Sequence, residues 1–194
     1  MRSKAVSRVI VLLCAISVWQ FGTAVYIHAK ALVAQHLVAQ AWNISLEKGE
    51  PVPPWPWADT WPVASIKVPR YQIEQTVLAG MNGRTLAFGP GWMRASAGAG
   101  ESGSMVIAGH RDTHFKFLQY LKMGDQIEVQ GLAGRMLYEV TSMEVIDSRY
   151  YRLRPNQDDI SLLLVTCYPF DAIAAGGSLR YVVRARPRAG GVSF

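Results

Sequence analysis

With 194 residues, the chain has room for one ordinary domain plus an appendage, and much of its 50% hydrophobic content is concentrated near the N-terminus. The net charge of +6 raises the question of nucleic acid or an anionic membrane surface. Arg2, Lys4 and Arg8 flank the hydrophobic segment, however, and Arg180, Arg184, Arg186 and Arg188 crowd the C-terminus, so no basic groove interleaved with stacking aromatics is present and nucleic-acid binding is not expected.

Val9 to Ile27 carries no charged residue over 19 positions, which just spans a bilayer core as a helix. The cations before it predict a cytoplasmic N-terminus with the remainder outside. Ala29-Lys30-Ala31 formally satisfies an A-x-A cleavage pattern. The apolar stretch is nonetheless longer than the usual ~7 to 15 residue core of a signal peptide, and an uncleaved signal anchor over 1–28 is the preferred reading.

Residues 29–62 read as a helical stalk followed by a linker. Ala29 to Leu46 is rich in alanine and free of proline, which favours continued helix. Pro51 to Pro62, reading P-V-P-P-W-P-W-A-D-T-W-P, is neither helix nor central strand and is expected to run extended. Its three tryptophans, Trp55, Trp57 and Trp61, are too apolar for a solvated linker, and are expected to clamp it against the domain or rest at lipid headgroups.

From 63 to 194 the texture changes to short extended segments cut by Gly, Pro and Asn-Gly. The candidate strands are Val63 to Val68, Gln72 to Leu78, Leu86 to Phe88, Met105 to Ala108, Gln126 to Gln130, Leu137 to Ile146, Ile160 to Thr166 and Leu179 to Ala185. Only Phe115 to Lys122 looks briefly helical. Short strands with so little helix predict a mainly β, closed or nearly closed barrel.

The most informative stretch is S-L-L-L-V-T-C-Y-P-F, Ser161 to Phe170. Its branched aliphatic run predicts a strand buried on both faces, stopped by Pro169 beside the thiol of Cys167. The chain has 2 Cys, and the other, Cys14, lies in the hydrophobic segment. An exported body would thus hold one unpaired cysteine: a working thiol, a metal ligand or an accident. Neither a C-x-x-C pair nor an EF-hand loop is present, so no metal and no cofactor are expected.

A nucleophilic thiol wants a histidine or a cation nearby. M-V-I-A-G-H-R-D-T-H-F offers His110 directly after a strand and a glycine, and His114 four residues later. His110 is the catalytic candidate and His114 a structural one. In L-R-Y-V-V-R-A-R the period of two places Leu179, Tyr181, Val183 and Ala185 on a core face, and Arg180, Val182, Arg184 and Arg186 on a face suited to a polar groove. Arg180 is nearest the loop returning from Cys167, with Arg184 roughly 7 Å further along.

These three motifs in this order, A-G-H-R-D-T-H-F, T-C-Y-P-F and L-R-Y-V-V-R-A, resemble the sortases, membrane-bound cysteine transpeptidases, and within them class D and the Gram-negative (proteobacterial) group. V-P-P-W-P-W-A-D-T-W-P is similar to the latter as well. The resemblance, over Pro51 to Pro187, implies an eight-stranded sortase barrel behind a transmembrane helix, facing the periplasm from the inner membrane. It implies Cys167 as the nucleophile on the threonine carbonyl of a C-terminal L-P-x-T-type sorting signal, His110 as the proton donor and acceptor, and Arg180 as the oxyanion ligand. The partners would be the signal-bearing protein and an amine acceptor. Thr166, Tyr168, Pro169 and Tyr151 are weaker substrate-binding candidates, and Asp112 is read as a turn residue, with orientation of His110 as the alternative. The Ser148 to Asp159 loop, with Tyr150, Tyr151 and Pro155, and the Tyr168 to Ser178 loop are expected to wall the groove. Three other readings stay open: a thiol hydrolase on the same scaffold, a peptidoglycan L,D-transpeptidase, whose S-x-G-C-type motif is absent, and a non-catalytic tethered barrel.

Overall fold

The structure, a computed structural model, describes residues 2–151, 159–173 and 176–193, so Pro155 and the centres of both predicted wall loops lie outside the described residues. The chain divides into two compact units, Met1–Leu37 and Val38–Phe194.

Helix α1 (Arg2–Lys48), which contains no proline over its 47 residues, makes up the first unit as far as Leu37, and its remaining turns belong to the second. Its apolar side chains, Leu12, Trp19, Phe21 and Tyr26 among them, are exposed. It is long and apolar enough to cross a membrane.

In the second unit the last turns of α1 bury Val38, Ala41, Trp42 and Ser45. The Ser45 hydroxyl donates to the Ala41 carbonyl and accepts from the Val52 amide at 2.9 Å, which closes the helix end onto the proline-rich segment. That segment is fastened to the domain. Trp55 meets the Phe88 ring edge-on at 5.1 Å, Arg94 lies over Trp61 at 4.7 Å, and the Ala79 amide and carbonyl bond the Trp61 carbonyl and the Thr60 hydroxyl. Two of the three tryptophans therefore clamp, while Trp57 is 82% exposed.

Eight strands follow: β1 (Pro62–Val68), β2 (Ile73–Ala79), β3 (Gly91–Trp92), β4 (Ser104–Ala108), β5 (Gln126–Gly131), β6 (Arg135–Asp147), β7 (Ser161–Cys167) and β8 (Leu179–Ser193). They close into a barrel in the order β1-β2-β3-β4-β7-β8-β6-β5, which leaves no free edge among them. The mainly β barrel is as expected. Two local expectations fail. Leu86 to Phe88 is not a strand but the end of helix α2 (Gly83–Phe88), because the Asn82 side chain accepts from the Thr85 amide and caps a single helical turn. The strand missing from the sequence reading is β3, whose two residues are too few to show any periodicity. It runs parallel to β2 at close range: a Cβ on Gly91 would lie 2.1 Å from the Gly80 carbonyl oxygen. Phe115 to Lys122 contains the 3-10 turn Lys116–Tyr120.

Strands β4 and β7 are buried on both sides, and this explains their uninterrupted apolar sequences. Inside the barrel, Met105, Ile107, Leu162 and Leu164 join Ile66, Val77, Phe115, Leu118, Val129, Tyr138 and Val183 in the main core. Outside it, Val106, Leu163, Val165 and Val182 form a second cluster, covered by Met93, Ala108 and Ile146.

Asp125 staples the approach to β5. Its buried carboxylate accepts from the Lys122 amide at 2.8 Å, Arg70 at 2.6 Å and Tyr71 at 3.0 Å. Burial pushes this carboxyl up, but the three donors together outweigh it and hold the group below the ordinary value. A depressed folded-state value means stability present above the unfolded value near 4 and lost as pH falls through the folded one. Asp125→Asn is therefore expected to cost about 1–3 kcal/mol at pH 7 and to draw closer to the parent as the pH is lowered past the ordinary carboxylate range, measured by thermal unfolding of the detergent-solubilised chain over that range.

Candidate active site

The parallel register of β4 and β7 pairs Ala108 with Val165. The Gly109 amide continues it by donating to the Val165 carbonyl at 3.1 Å, and the Thr166 hydroxyl donates to the Gly109 carbonyl at 2.8 Å. His110 follows Gly109 just past the end of β4, and Cys167 follows Thr166 as the last residue of β7. On the other side of β7, the antiparallel register places Arg180 of β8 directly opposite Cys167. Directly opposed residues project to one face of a sheet. The thiol therefore lies between the histidine-bearing segment and the arginine, on the outer face of the barrel, at the mouth end of β7.

The histidine segment is held by its own turn. The His110 carbonyl accepts from the Phe115 amide at 3.0 Å, and the Phe115 ring is fully buried beneath Gly109, where a Cβ would come within 2.7 Å of it. Only glycine leaves the ring that space. His110 itself is exposed, and Cys167 and Arg180 are half-buried.

Arg180 uses one nitrogen, Nη1, to donate to the Gly177 carbonyl at 2.6 Å and the Leu179 carbonyl at 2.8 Å. Arg184 faces Leu163 instead, four residues back along β7 from Cys167. The groove beside Arg180 has a volume of ≈ 280 Å³ and is lined by Met81, Leu86, Met93, Val106, Ala108, Ile146, Ser148, Tyr151, Val165 and Arg180. Its floor is apolar, which corrects the expectation of a polar groove along β8: Val182, between Arg180 and Arg184, is fully buried in the outer cluster. The arginines mark points along it, and the two-residue period alone did not show what covers the valine between them.

The remaining sequence candidates are dispersed. Tyr151 is brought to the groove. Tyr168 stacks on Tyr181 at 6.2 Å and meets Phe170 edge-on at 6.1 Å, in an aromatic group whose Phe170 and Tyr181 pack on the main core. Pro169 follows Tyr168 through a cis peptide bond. Thr166 is buried, its hydroxyl proton given to Gly109. His114 is half-buried, in the turn that follows His110. Burial, then the His110 charge, holds His114 below the ordinary imidazole value, against a bond to the Ala87 backbone. Asp112 does not orient His110: its carboxylate forks onto Arg111, at 2.7 Å to Nε and 3.0 Å to Nη2. That bond, first among the causes, holds Asp112 below the usual carboxylate range. The sequence reading missed Arg111 and the groove residues Met81, Leu86, Met93 and Ile146. An arginine adjoining both a candidate histidine and an aspartate was the available signal for the first; the others come from four separate segments.

Comparison with known proteins extends this geometry to a family. Residues 66–188 match the sortase domain model. Sortase D of Bacillus subtilis (strain 168) is 28% identical over 121 residues, which span 61% of this chain and 60% of that protein. Sortase A from Corynebacterium diphtheriae is similar in structure at a TM-score of 0.59 and 28% identity, over 68% of this chain and 63% of that one. The sortase D5 transpeptidase of Clostridium perfringens, 22% identical, shares the fold at a TM-score of 0.65 over 80% of this chain and 98% of its own. The matched domain runs from β1 through the whole of β7 into β8 and so contains His110, Cys167 and Arg180, and the Sortase D relative agrees with the class D resemblance: the chain belongs to the sortase family.

Proposed function

We propose that the protein is a membrane-anchored cysteine transpeptidase that cleaves a C-terminal L-P-x-T-type sorting signal after its threonine and joins the acyl part to an amine. What supports this reading most is the register that sets Arg180, which lines an apolar groove, directly opposite Cys167 on the outer face, while Gly109, the residue before His110, is bonded to Val165 and Thr166 at the end of the same strand. The Cys167 thiolate attacks the threonine carbonyl carbon, and the negative charge moves to the carbonyl oxygen, where the Arg180 N–H groups can meet it. Collapse breaks the scissile C–N bond, His110 gives its proton to the departing amine, and a thioester remains. The acceptor amine then attacks that thioester, His110 takes its proton, and the new amide leaves with Cys167 restored as thiolate.

The groove gives the leucine and proline of such a signal an apolar wall in Met93, Val106, Ile146 and Val165, with Tyr151 at its edge. Arg2, Lys4 and Arg8 ahead of the apolar helix favour a cytoplasmic N-terminus and a barrel outside it, facing the periplasm from the inner membrane.

The test is mass spectrometry of the detergent-solubilised chain incubated with a panel of L-P-x-T-x peptides, with and without an added amine. The expected result is a mass gain on the fragment containing Cys167 that an amine converts to a new peptide amide. Resolution by water alone would reassign the chain as a thiol hydrolase, and no adduct with any peptide would remove the sorting-signal reading.

A further inference from the structure

Arginine is seldom buried unless its charge and donors are met. Arg111 is only 7% exposed. Its guanidinium makes four bonds: Nε to Asp112 Oδ1 at 2.7 Å, Nη2 to Asp112 Oδ2 at 3.0 Å, Nη1 to the Pro169 carbonyl at 2.7 Å and Nη2 to the Ala172 carbonyl at 2.8 Å. The first two stay on the turn that begins at His110. The other two cross to the loop that leaves β7 immediately after Cys167.

We propose that Arg111 is the positioning residue that joins these two segments, holding the loop after the thiol against the turn that carries the histidine. The proposal rests on the cysteine–histidine reading above and adds a residue to it. The β7 ladder ends at Cys167; among the described residues the Tyr168 amide then donates to the Leu179 carbonyl at 3.1 Å and the Ala172 amide to the Pro169 carbonyl at 3.4 Å, and neither bond ties the loop to the turn that carries His110. Pro169 and Ala172 offer carbonyls that the ladder does not use, and Arg111 takes both with one planar group. Asp112 aims that group: its carboxylate holds the Nε edge and leaves the Nη1 side for the loop. The Asp112 bond, acting against burial, raises the already high value of the guanidinium. A lysine carries the same charge but has a single nitrogen and no fork, so it cannot reach a carboxylate and two carbonyls in this arrangement.

Charge and geometry therefore separate in Arg111→Lys. Hydrogen exchange of the full chain in detergent reads the loop without reference to activity. In Arg111→Lys the amides of 168–173 are expected to exchange at least about tenfold faster than in the parent, with β5 and β6 unchanged. In peptide transfer the same variant is expected to lose about 10²-fold in kcat with little change in KM, while the pH profile of Cys167 alkylation by iodoacetamide stays where it was. Asp112→Asn, at a side chain 70% exposed, is expected to show the same pattern more weakly, and Arg111→Lys/Asp112→Asn to be no worse than Arg111→Lys alone, as one unit requires. Unchanged loop exchange in both single variants would overturn the proposal. So would parental kcat in Arg111→Lys beside lost activity and a shifted alkylation profile in Arg111→Gln, which would make Arg111 a source of charge. A parent that transfers no peptide would sink the catalytic reading alone, and loop exchange would still decide the brace.

Discussion

Cys167→Ala is expected to abolish acyl-enzyme formation and to lower transfer by at least about 10⁴-fold, in the range seen when a catalytic nucleophile is removed. The change is chemically narrow. Cys167 is half-buried at the outer-face end of β7, whose anchoring to the core comes from Leu162 and Leu164 on the opposite face. Loss of one sulfur there is expected to alter stability by no more than about 1 kcal/mol, so thermal unfolding should nearly superimpose. The variant keeps Cys14 as the remaining thiol of the chain, which makes it its own control. A peptide adduct that survived in Cys167→Ala would map to helix α1 and expose non-enzymatic thiol chemistry; its absence ties the reaction to β7. Transfer at parental rate would leave only a non-catalytic barrel.

Much of this site was legible because strand chemistry is periodic. The run ending T-C-Y-P predicted a strand buried on both faces that stops beside the thiol, and β7 does so because one face meets the main core and the other the outer cluster. The parity of β8 correctly put Tyr181, Val183 and Ala185 inward. What parity could not supply was the covering of the outer face. Met93 arrives from the segment after β3 and Ile146 from the end of β6, and neither has any sequence relation to Val182, so a groove expected to be polar is floored with aliphatics. Element type failed where elements are shortest. One capped turn at Asn82 overrides the β character of Leu86 to Phe88, and two residues of β3 are defined only by their neighbours. Arg111 illustrates a third limit. Charge on a turn ordinarily reads as solvated, and its burial depends on two carbonyls 58 and 61 residues away.

Arg180→Ala is expected to reduce kcat/KM by about 10²–10³-fold, the usual cost of deleting a donor to a developing oxyanion. The register makes the assignment specific. Arg180 is the residue directly opposite Cys167, whereas Arg184 faces Leu163, so Arg184→Ala is expected to stay within about threefold of the parent and serves as the matched loss of charge on the same strand face. Among the described residues Arg180 is held through Nη1 alone, by the Gly177 and Leu179 carbonyls, which orients the guanidinium and leaves Nε and Nη2 to donate. Arg180→Lys tests that division of labour. A lysine nitrogen satisfied by the same carbonyls has little left for the substrate, and one that turns to the substrate loses its anchor, so only a small fraction of activity should return. How the loss divides says what Arg180 does. A fall in kcat at constant KM marks a bond made in the transition state, and a rise in KM at constant kcat marks a bond to the bound signal before reaction. If Arg180→Ala and Arg184→Ala were equally mild, the oxyanion would have to be met by backbone amides around Cys167, and the arginine opposite the thiol would be left with a purely structural task at the start of β8.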